Sequence, residues 1–197
     1  MTPKRIFLLN GHPGDTSLCR SLAEHYETAA RAAGHDVRTL HLSDLEFDMD
    51  YGLGGYDNAK PLEPCLEEVL QNMEWCEHFV VTSPLWWGGL PAKLKGLLDR
   101  SLLPGRTFDT RNTSAIGMPK PMLTGRTARV IMTSDTPRWF LRLAYGSAII
   151  GQLKGQIFGF VGFKPLRITW LAGASHPTEK QFKAWFSKAD ALGAAGA

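Results

Sequence analysis

Two stretches of the chain bring together residue types suited to holding a planar, anionic ligand. The first is Asn10-Gly11-His12-Pro13-Gly14-Asp15-Thr16-Ser17-Leu18-Cys19, which follows the apolar run Ile6 to Leu9. A helix opening here would offer unpaired backbone N–H groups and the positive end of its dipole, and Thr16 and Ser17 add hydroxyls; together these suit phosphate oxygens. Gly11 and Gly14 are followed by neither a third glycine nor Lys-Ser/Thr, so the spacing fits neither the dinucleotide-binding GxGxxG nor the P-loop. Asp15, Thr16 and Ser17 are equally the residue types that cap a helix without any ligand, and a histidine in a His-Pro turn such as His12 is commonly structural. The second stretch, Ser83 to Gly96, holds Pro84-Leu85-Trp86-Trp87-Gly88-Gly89. Adjacent indoles followed by two glycines place flat apolar surface beside backbone that can approach a ligand closely. Filling a core or a subunit interface is the competing use of Trp86 and Trp87.

These loops need elements to position them, and the apolar periodicity supplies a strand and helix alternation. Strands are expected at Arg5–Leu9, Asp36–Leu42, His78–Ser83, Ala128–Ser134 and Leu166–Leu171. Helices are expected at Thr16–Ala33, from Pro61 through Met73, at Pro91–Leu102, once or twice between Pro137 and Phe158, and from Pro177 to about Leu192 behind a Thr178 cap. Parallel neighbours require crossover helices on both faces, so the pattern predicts an α/β fold with a doubly wound, five-stranded parallel sheet. Ligands bind such sheets at the strands' carboxyl ends, which directs attention to the loops after the first, third and fourth strands. The last of these runs Thr133-Ser134-Asp135-Thr136-Pro137, where Asp135 reads as a helix cap or, more sharply, as a charge aimed at the ligand. The stretch Leu103 to Arg126 is long for a loop and carries four basic residues against one acidic one. It is expected to wall the site, with Arg106 or Arg111 meeting phosphate.

The 197 residues suffice for one domain, 1–197, whose end, Ala191 to Ala197, is expected to fray. Three cysteines (Cys19, Cys65, Cys76) form no CxxC pair, which argues against a disulfide framework or a zinc ribbon and for a reducing cytoplasm. No metal site is expected. The net charge of +3 lacks any Lys/Arg-rich block, so nucleic acid is not an expected partner, and no apolar run reaches membrane length.

Pro84 to Gly96, together with Gly11-His12-Pro13 and Thr16-Ser17, resembles the flavodoxin-like NAD(P)H:quinone reductases, the DT-diaphorase-like flavoproteins. Phe160-Val161-Gly162-Phe163 extends the resemblance to the last strand. It implies strand order 2-1-3-4-5, a tightly bound FAD or FMN, hydride transfer from NADH or NADPH to the flavin, and delivery to a quinone or similar electrophile. A homodimer with active sites at the subunit interface is implied as well. On this chain it implies that His12, Thr16, Ser17, Leu18 and Cys19 form the flavin-phosphate loop, that Pro84, Leu85, Trp86, Trp87 and Gly88 border the isoalloxazine, and that Thr133, Ser134 and Asp135 follow the fourth strand. Leu18 and Cys19 stand where the family often has Phe and Asn, and Asp135 onward replaces the usual glycines. The family's Tyr and His donors to the reduced ring have no evident counterpart here, which leaves Tyr145 as the candidate. The choice of FAD or FMN would turn on loops such as Asp50 to Lys60 and on the last helix near Lys180. A regulatory subunit that acts by binding a partner protein is the alternative from another class. A one-electron carrier ranks behind it, because such carriers are typically strongly acidic.

Overall fold

A computed structural model describes residues 2–52 and 60–197, so part of the Asp50 to Lys60 stretch lies outside the described residues. Along the chain run β1 (Arg5–Asn10), α1 (Leu18–Ala32), β2 (Asp36–His41), α2 (Pro64–Trp75), β3 (His78–Pro84) and α3 (Ala92–Ser101). There follow β4 (Phe108–Thr113), β5 (Pro119–Pro121), β6 (Thr127–Ser134), α4 (Arg138–Tyr145), α5 (Ala148–Gly151), α6 (Phe158–Val161), β7 (Leu166–Ala172) and α7 (Glu179–Ala194). Five strands pair in parallel in the order β2-β1-β3-β6-β7, which is the expected 2-1-3-4-5 once the small β4/β5 hairpin is set aside.

Strand alternation divides the core between the two faces of the sheet. Phe7, Leu9, Phe79, Val81, Val130 and Met132 pack toward α2 and α3, with Phe7 and Phe79 stacked at 4.8 Å between ring centroids. Ile6, Leu8, Val80 and Ile131 pack under α1 and α7. A buried aliphatic side chain stabilises by about 1.5–3 kcal/mol, so these two layers supply the main force that closes the fold.

The departures from expectation have local causes. Helix α2 starts at Pro64, not Pro61, because the buried Arg100 holds the preceding segment extended. Its Nη2 donates to the Pro61 carbonyl and to Glu63 Oε2, both at 2.9 Å, and its Nη1 donates to the Asp48 carbonyl. The unforeseen β4/β5 hairpin is mostly polar and exposed, so it shows no apolar alternation; Phe108 anchors it, in edge contact with Phe160 at 5.0 Å. Thr178 caps α7 as expected, in a reciprocal capping box with Gln181. The chain's end does not fray. Helix α7 continues to Ala194, Leu192 and Gly193 are buried, and Lys4 Nζ donates to the Gly196 carbonyl at 2.7 Å. Alanine and glycine here permit close helix packing rather than disorder.

Candidate functional site

Strands β1 and β3 are neighbours, yet α1 leaves β1 toward one face and α3 leaves β3 toward the other. That divergence opens a crevice at their carboxyl ends. The loops on either side touch: Gly11 N–H donates to the Thr82 carbonyl at 2.8 Å. A Cβ on Gly11 would lie 2.6 Å from Leu94 Cδ2 and 3.0 Å from the Thr82 carbonyl oxygen, so the approach requires glycine.

Beyond Gly11 the first loop is shaped by its own side chains. Asn10 Oδ1 accepts the His12 N–H at 3.2 Å, and His12 Nδ1 accepts the Gly14 N–H at 3.0 Å. The ring proton of His12 is thereby placed on Nε2. Ser17 caps α1, its hydroxyl oxygen accepting the Arg20 N–H at 3.1 Å, which leaves its own proton to donate. The backbone N–H groups of Leu18 and Cys19 have no partner among the described residues. The capping reading of Ser17 is therefore correct, and it coexists with free donors at the positive end of a helix of 15 residues.

The second loop is a tight reversal. Trp86 and Gly89 exchange both backbone hydrogen bonds, at 3.0 and 2.9 Å, while Trp87 and Gly88 between them adopt φ of 51° and 77°. Left-handed backbone at both central positions is the primed turn that glycine favours and tryptophan does not. The strain holds Trp87 outward, fully exposed, with Trp86 44% exposed. Neither indole fills core. Trp86 sits over the His12 ring, edge to face at 5.6 Å.

The third wall comes from the ends of β6 and β7. Thr133 accepts the Leu85 N–H at 2.8 Å, and the Ser134 carbonyl accepts the Gly173 N–H at 2.7 Å. Asp135 does not cap α4. Its carboxylate instead accepts the Ser175 N–H and hydroxyl, both at 2.7 Å, because the turn after β7 brings Ser175 nearer than the start of α4. The same two hydrogen bonds hold the Asp135 carboxyl below the usual carboxylate range, so it is ionised at neutral pH. Cys19 contributes no charge: burial pushes its thiol up to about 11, opposed by its 3.4 Å contact with Thr133 Oγ1.

Two adjoining cavities collect these groups. One, about 290 Å³, is lined by His12, Thr16, Ser17, Leu18, Cys19, Pro84, Leu85, Trp86, Thr133, Ser134 and Asp135, with Ala174 and Ser175. The other, about 810 Å³, shares Leu85, Ser134 and Asp135 and adds Trp87, Gly88 and Tyr145, with Leu141, Ala148 and Ile149 from the helices beyond. Every residue that the sequence assigns to the three loops, and Tyr145, lines one or both; Arg106 and Arg111 do not. Sequence reasoning missed the loop after β7; its signal was the Ala172-Gly173-Ala174-Ser175 run, whose small residues follow a strand as those of the other site loops do.

The stretch 103–126 lines neither cavity. Arg106 is occupied elsewhere, bonding the Glu67 carboxylate at 2.7 Å and the Glu74 carboxylate at 2.6–2.8 Å, which ties the start of the hairpin to α2. Arg111 is exposed on β4. Replacing Arg106 with alanine should lower the melting temperature and leave both cavities unchanged. The effect depends on pH in a defined sense. Arg106 holds Glu67 below its ordinary 4.5, so this pairing stabilises the fold above that pH and is lost as pH falls through the depressed value. Melting curves should therefore separate wild type from Arg106→Ala at neutral pH and converge in acid.

The family profile described as flavodoxin-like fold matches residues 4–192. The FMN-dependent NADH:quinone oxidoreductase of Aeromonas salmonicida is 22% identical over 82% of this chain and 80% of its own length. An uncharacterized NAD(P)H oxidoreductase of Haemophilus influenzae is 29% identical, over 57% of each chain. Among solved structures, the NAD(P)H:quinone oxidoreductase from Methanothermobacter marburgensis superimposes with a TM-score of 0.78 at 20% identity, covering 98% of both chains. The chain belongs to the family of proteins with the flavodoxin-like fold.

Proposed function

We propose that the chain is a flavin-dependent NAD(P)H oxidoreductase that uses FMN and passes electrons from NADH or NADPH to a quinone or similar electrophile. The observation that carries this reading is the meeting, across one topological switch point, of a helix N-terminus with free donors and a wide aromatic slot. The residues present fit such a cofactor. The unpartnered N–H groups of Leu18 and Cys19, the Ser17 hydroxyl proton and the Thr16 hydroxyl would hold its phosphate. The backbone N–H groups of Trp87 and Gly88, also without partners among the described residues, are placed to bond polar atoms of its ring, and Trp86, Pro84 and Leu85 supply flat apolar contact. When bound, the flavin supplies two-electron redox chemistry with nicotinamides and quinones. The chain contributes position, exclusion of water and fixed dipoles; Tyr145, the candidate proton donor, is 63% exposed at the mouth of the wider cavity. The names of the relatives favour an enzyme over a regulatory subunit, and FMN over FAD.

Anaerobic addition of NADH or NADPH to the flavin-loaded protein should bleach its visible absorbance, and a quinone should restore it. Loaded protein that neither nicotinamide bleaches would defeat the enzyme reading and favour the regulatory one. The Asp135 carboxylate adds a charge that opposes electron uptake nearby. In Asp135→Asn the amide oxygen can still accept the Ser175 N–H while the amide nitrogen donates to the Ser175 hydroxyl, and the variant should raise the midpoint potential of the bound flavin by about 30 mV, the equivalent of ~1.4 kcal/mol in a two-electron couple. An unchanged potential would place the carboxylate too far away to act.

The reading includes a homodimer. Trp139, Leu143 and Tyr145 on α4 are 64%, 78% and 63% exposed, and with Trp87 they form an apolar surface beside the wider cavity. A second copy covering it would close that cavity from outside. Leu143→Glu should shift sedimentation from dimer to monomer and weaken nicotinamide turnover without lowering flavin content; an unaltered dimer would move the interface elsewhere. Three free cysteines suit a reducing compartment such as the cytoplasm, and among the described residues no helix is long and apolar enough to cross a membrane.

A further inference from the structure

The basic side chains of α4 lack acidic partners. From Thr136 to Thr178 the sequence holds three arginines and two lysines, with no aspartate or glutamate. Asp135, just before this stretch, is turned to Ser175. Arg138 and Arg142 are both exposed on α4, and among the described residues neither forms an ion pair. Like charges four residues apart on a helix repel. Arg138 also stands in the first turn of α4, where a cation opposes the helix dipole, and no side chain caps that end. Both placements cost α4 stability, and local rules of this kind are broken chiefly where a site requires it.

A cavity of about 590 Å³ lies beside the two arginines, lined by Arg138, Trp139, Arg142, Gly146, Ser147 and Ile150. Trp139 is 64% exposed and brings a flat indole to the same cavity. Ser147 holds a left-handed φ of 55°, uncommon for a residue other than glycine, and adds a hydroxyl-bearing side chain. Helix α4 links this cavity to the wider one described above. Arg138, Arg142 and Tyr145 stand at i, i+4 and i+7, a single strip of the helix, and Tyr145 lines the wider cavity together with Leu141. From Arg138 to Tyr145 the strip rises about 10 Å along the axis. Residues four apart bring their Cβ atoms within about 5–6 Å, so the two guanidinium forks can close on one phosphate.

We infer that Arg138 and Arg142 hold the 2′-phosphate of NADPH, so that the chain selects NADPH over NADH. The inference rests on the oxidoreductase reading above, in which the nicotinamide enters the wider cavity. The adenosine half then extends out of that cavity, and on the α4 side it meets the arginine strip and the Trp139 indole. Paired guanidinium forks suit a phosphate, and an indole beside them suits an adenine ring. NADH would leave both arginines unanswered. A phosphate at this place ends their mutual repulsion and supplies the anion that the start of α4 lacks. The pair also borders the apolar surface that a second copy would cover, and a bound anion would neutralise the charges that such a contact takes out of water.

Calorimetric titration with adenosine 2′,5′-bisphosphate and with adenosine 5′-monophosphate reads the phosphate site without any redox step, and steady-state kinetics with NADPH and NADH read its use. Four forms are compared: wild type, Arg138→Gln with Arg142→Gln, Arg138→Lys with Arg142→Lys, and Arg111→Gln with Lys120→Gln, which removes the same charge from the exposed hairpin. Wild type should bind the bisphosphate at least tenfold more tightly than the monophosphate. The α4 glutamine pair should lose that preference, the hairpin pair should keep it, and the lysine pair should retain part of it. In turnover the α4 glutamine pair should raise the KM for NADPH at least tenfold, with kcat and the KM for NADH within about twofold of wild type. Its flavin content should be unchanged, and it should melt no lower than wild type, because the substitutions relieve repulsion. A preference for the bisphosphate that survives in the α4 glutamine pair, or an equal loss for both nicotinamides, would overturn the inference. Equal loss in the hairpin pair would reduce the effect to net charge and overturn it as well. Phosphatidylglycerol vesicles that bind wild type and not the α4 glutamine pair, with bisphosphate affinity unaltered, would give these arginines to a membrane surface instead. Should neither nicotinamide bleach the flavin, the oxidoreductase reading fails separately, and the calorimetric preference still decides the phosphate site.

Discussion

Ser17→Asp is expected to leave the protein as stable as wild type while lowering its affinity for FMN by at least ~100-fold. Aspartate caps a helix as well as serine does, and a negative charge at the start of α1 interacts favourably with the helix dipole, so the melting temperature should hold or rise slightly. The same carboxylate would face the cofactor's phosphate in the space that the Ser17 hydroxyl and the free N–H groups of Leu18 and Cys19 now define. Two unit charges 4 Å apart repel by about 4 kcal/mol at an effective dielectric of ~20, which exceeds the ~2.7 kcal/mol that a hundredfold loss requires. Measuring flavin affinity and melting temperature on the same preparation separates the two roles. Affinity within a few fold of wild type would remove phosphate from the start of α1.

Gly193→Ala is expected to cost roughly 3 kcal/mol and to lower the melting temperature by roughly 6–12 °C. The added Cβ would lie 2.2 Å from the Tyr26 carbonyl oxygen and 3.0 Å from its carbonyl carbon. Both neighbours are backbone of α1, so no side-chain rotation relieves the clash; α7 would have to move away from Leu22, Ala23 and Tyr26. Tyr26 is itself fully buried in this contact. The position lies inside the alanine- and glycine-rich end that composition marks as dispensable, and Ala191→Ser, on the exposed side of the same turn, should be neutral. Thermal melts of the pair would decide between a frayed end and a packed one, and equal melting temperatures would favour fraying.

The sequence makes the parallel sheet legible because each strand is a short β-former run closed by a turn, and Ile6 to Leu9 or Phe79 to Val81 have no other plausible use. The site loops are legible for a related reason: they follow those strands directly, so their residues are carried to one edge of the sheet. What stays hidden depends on partners distant in sequence. Asp135 precedes a proline as a cap would, yet its hydrogen bonds go to Ser175, 40 residues away. Arg106 sits in a basic loop that suggests phosphate, yet its carboxylates lie on α2, 32 and 39 residues before it. Arg129 and Arg167 look like ordinary strand residues until the register sets them side by side. Spacing along one chain reports local periodicity well, but it contains no information on which distant charge answers which.

Titration of FMN into the flavin-free protein, followed by quenching of flavin fluorescence, tests the central claim most directly. The account predicts saturation at one FMN per chain, with quenching by the indole of Trp86 and the displacement of water from the slot beside it. Flavin emission that remains unquenched at stoichiometric and higher protein concentrations would contradict it.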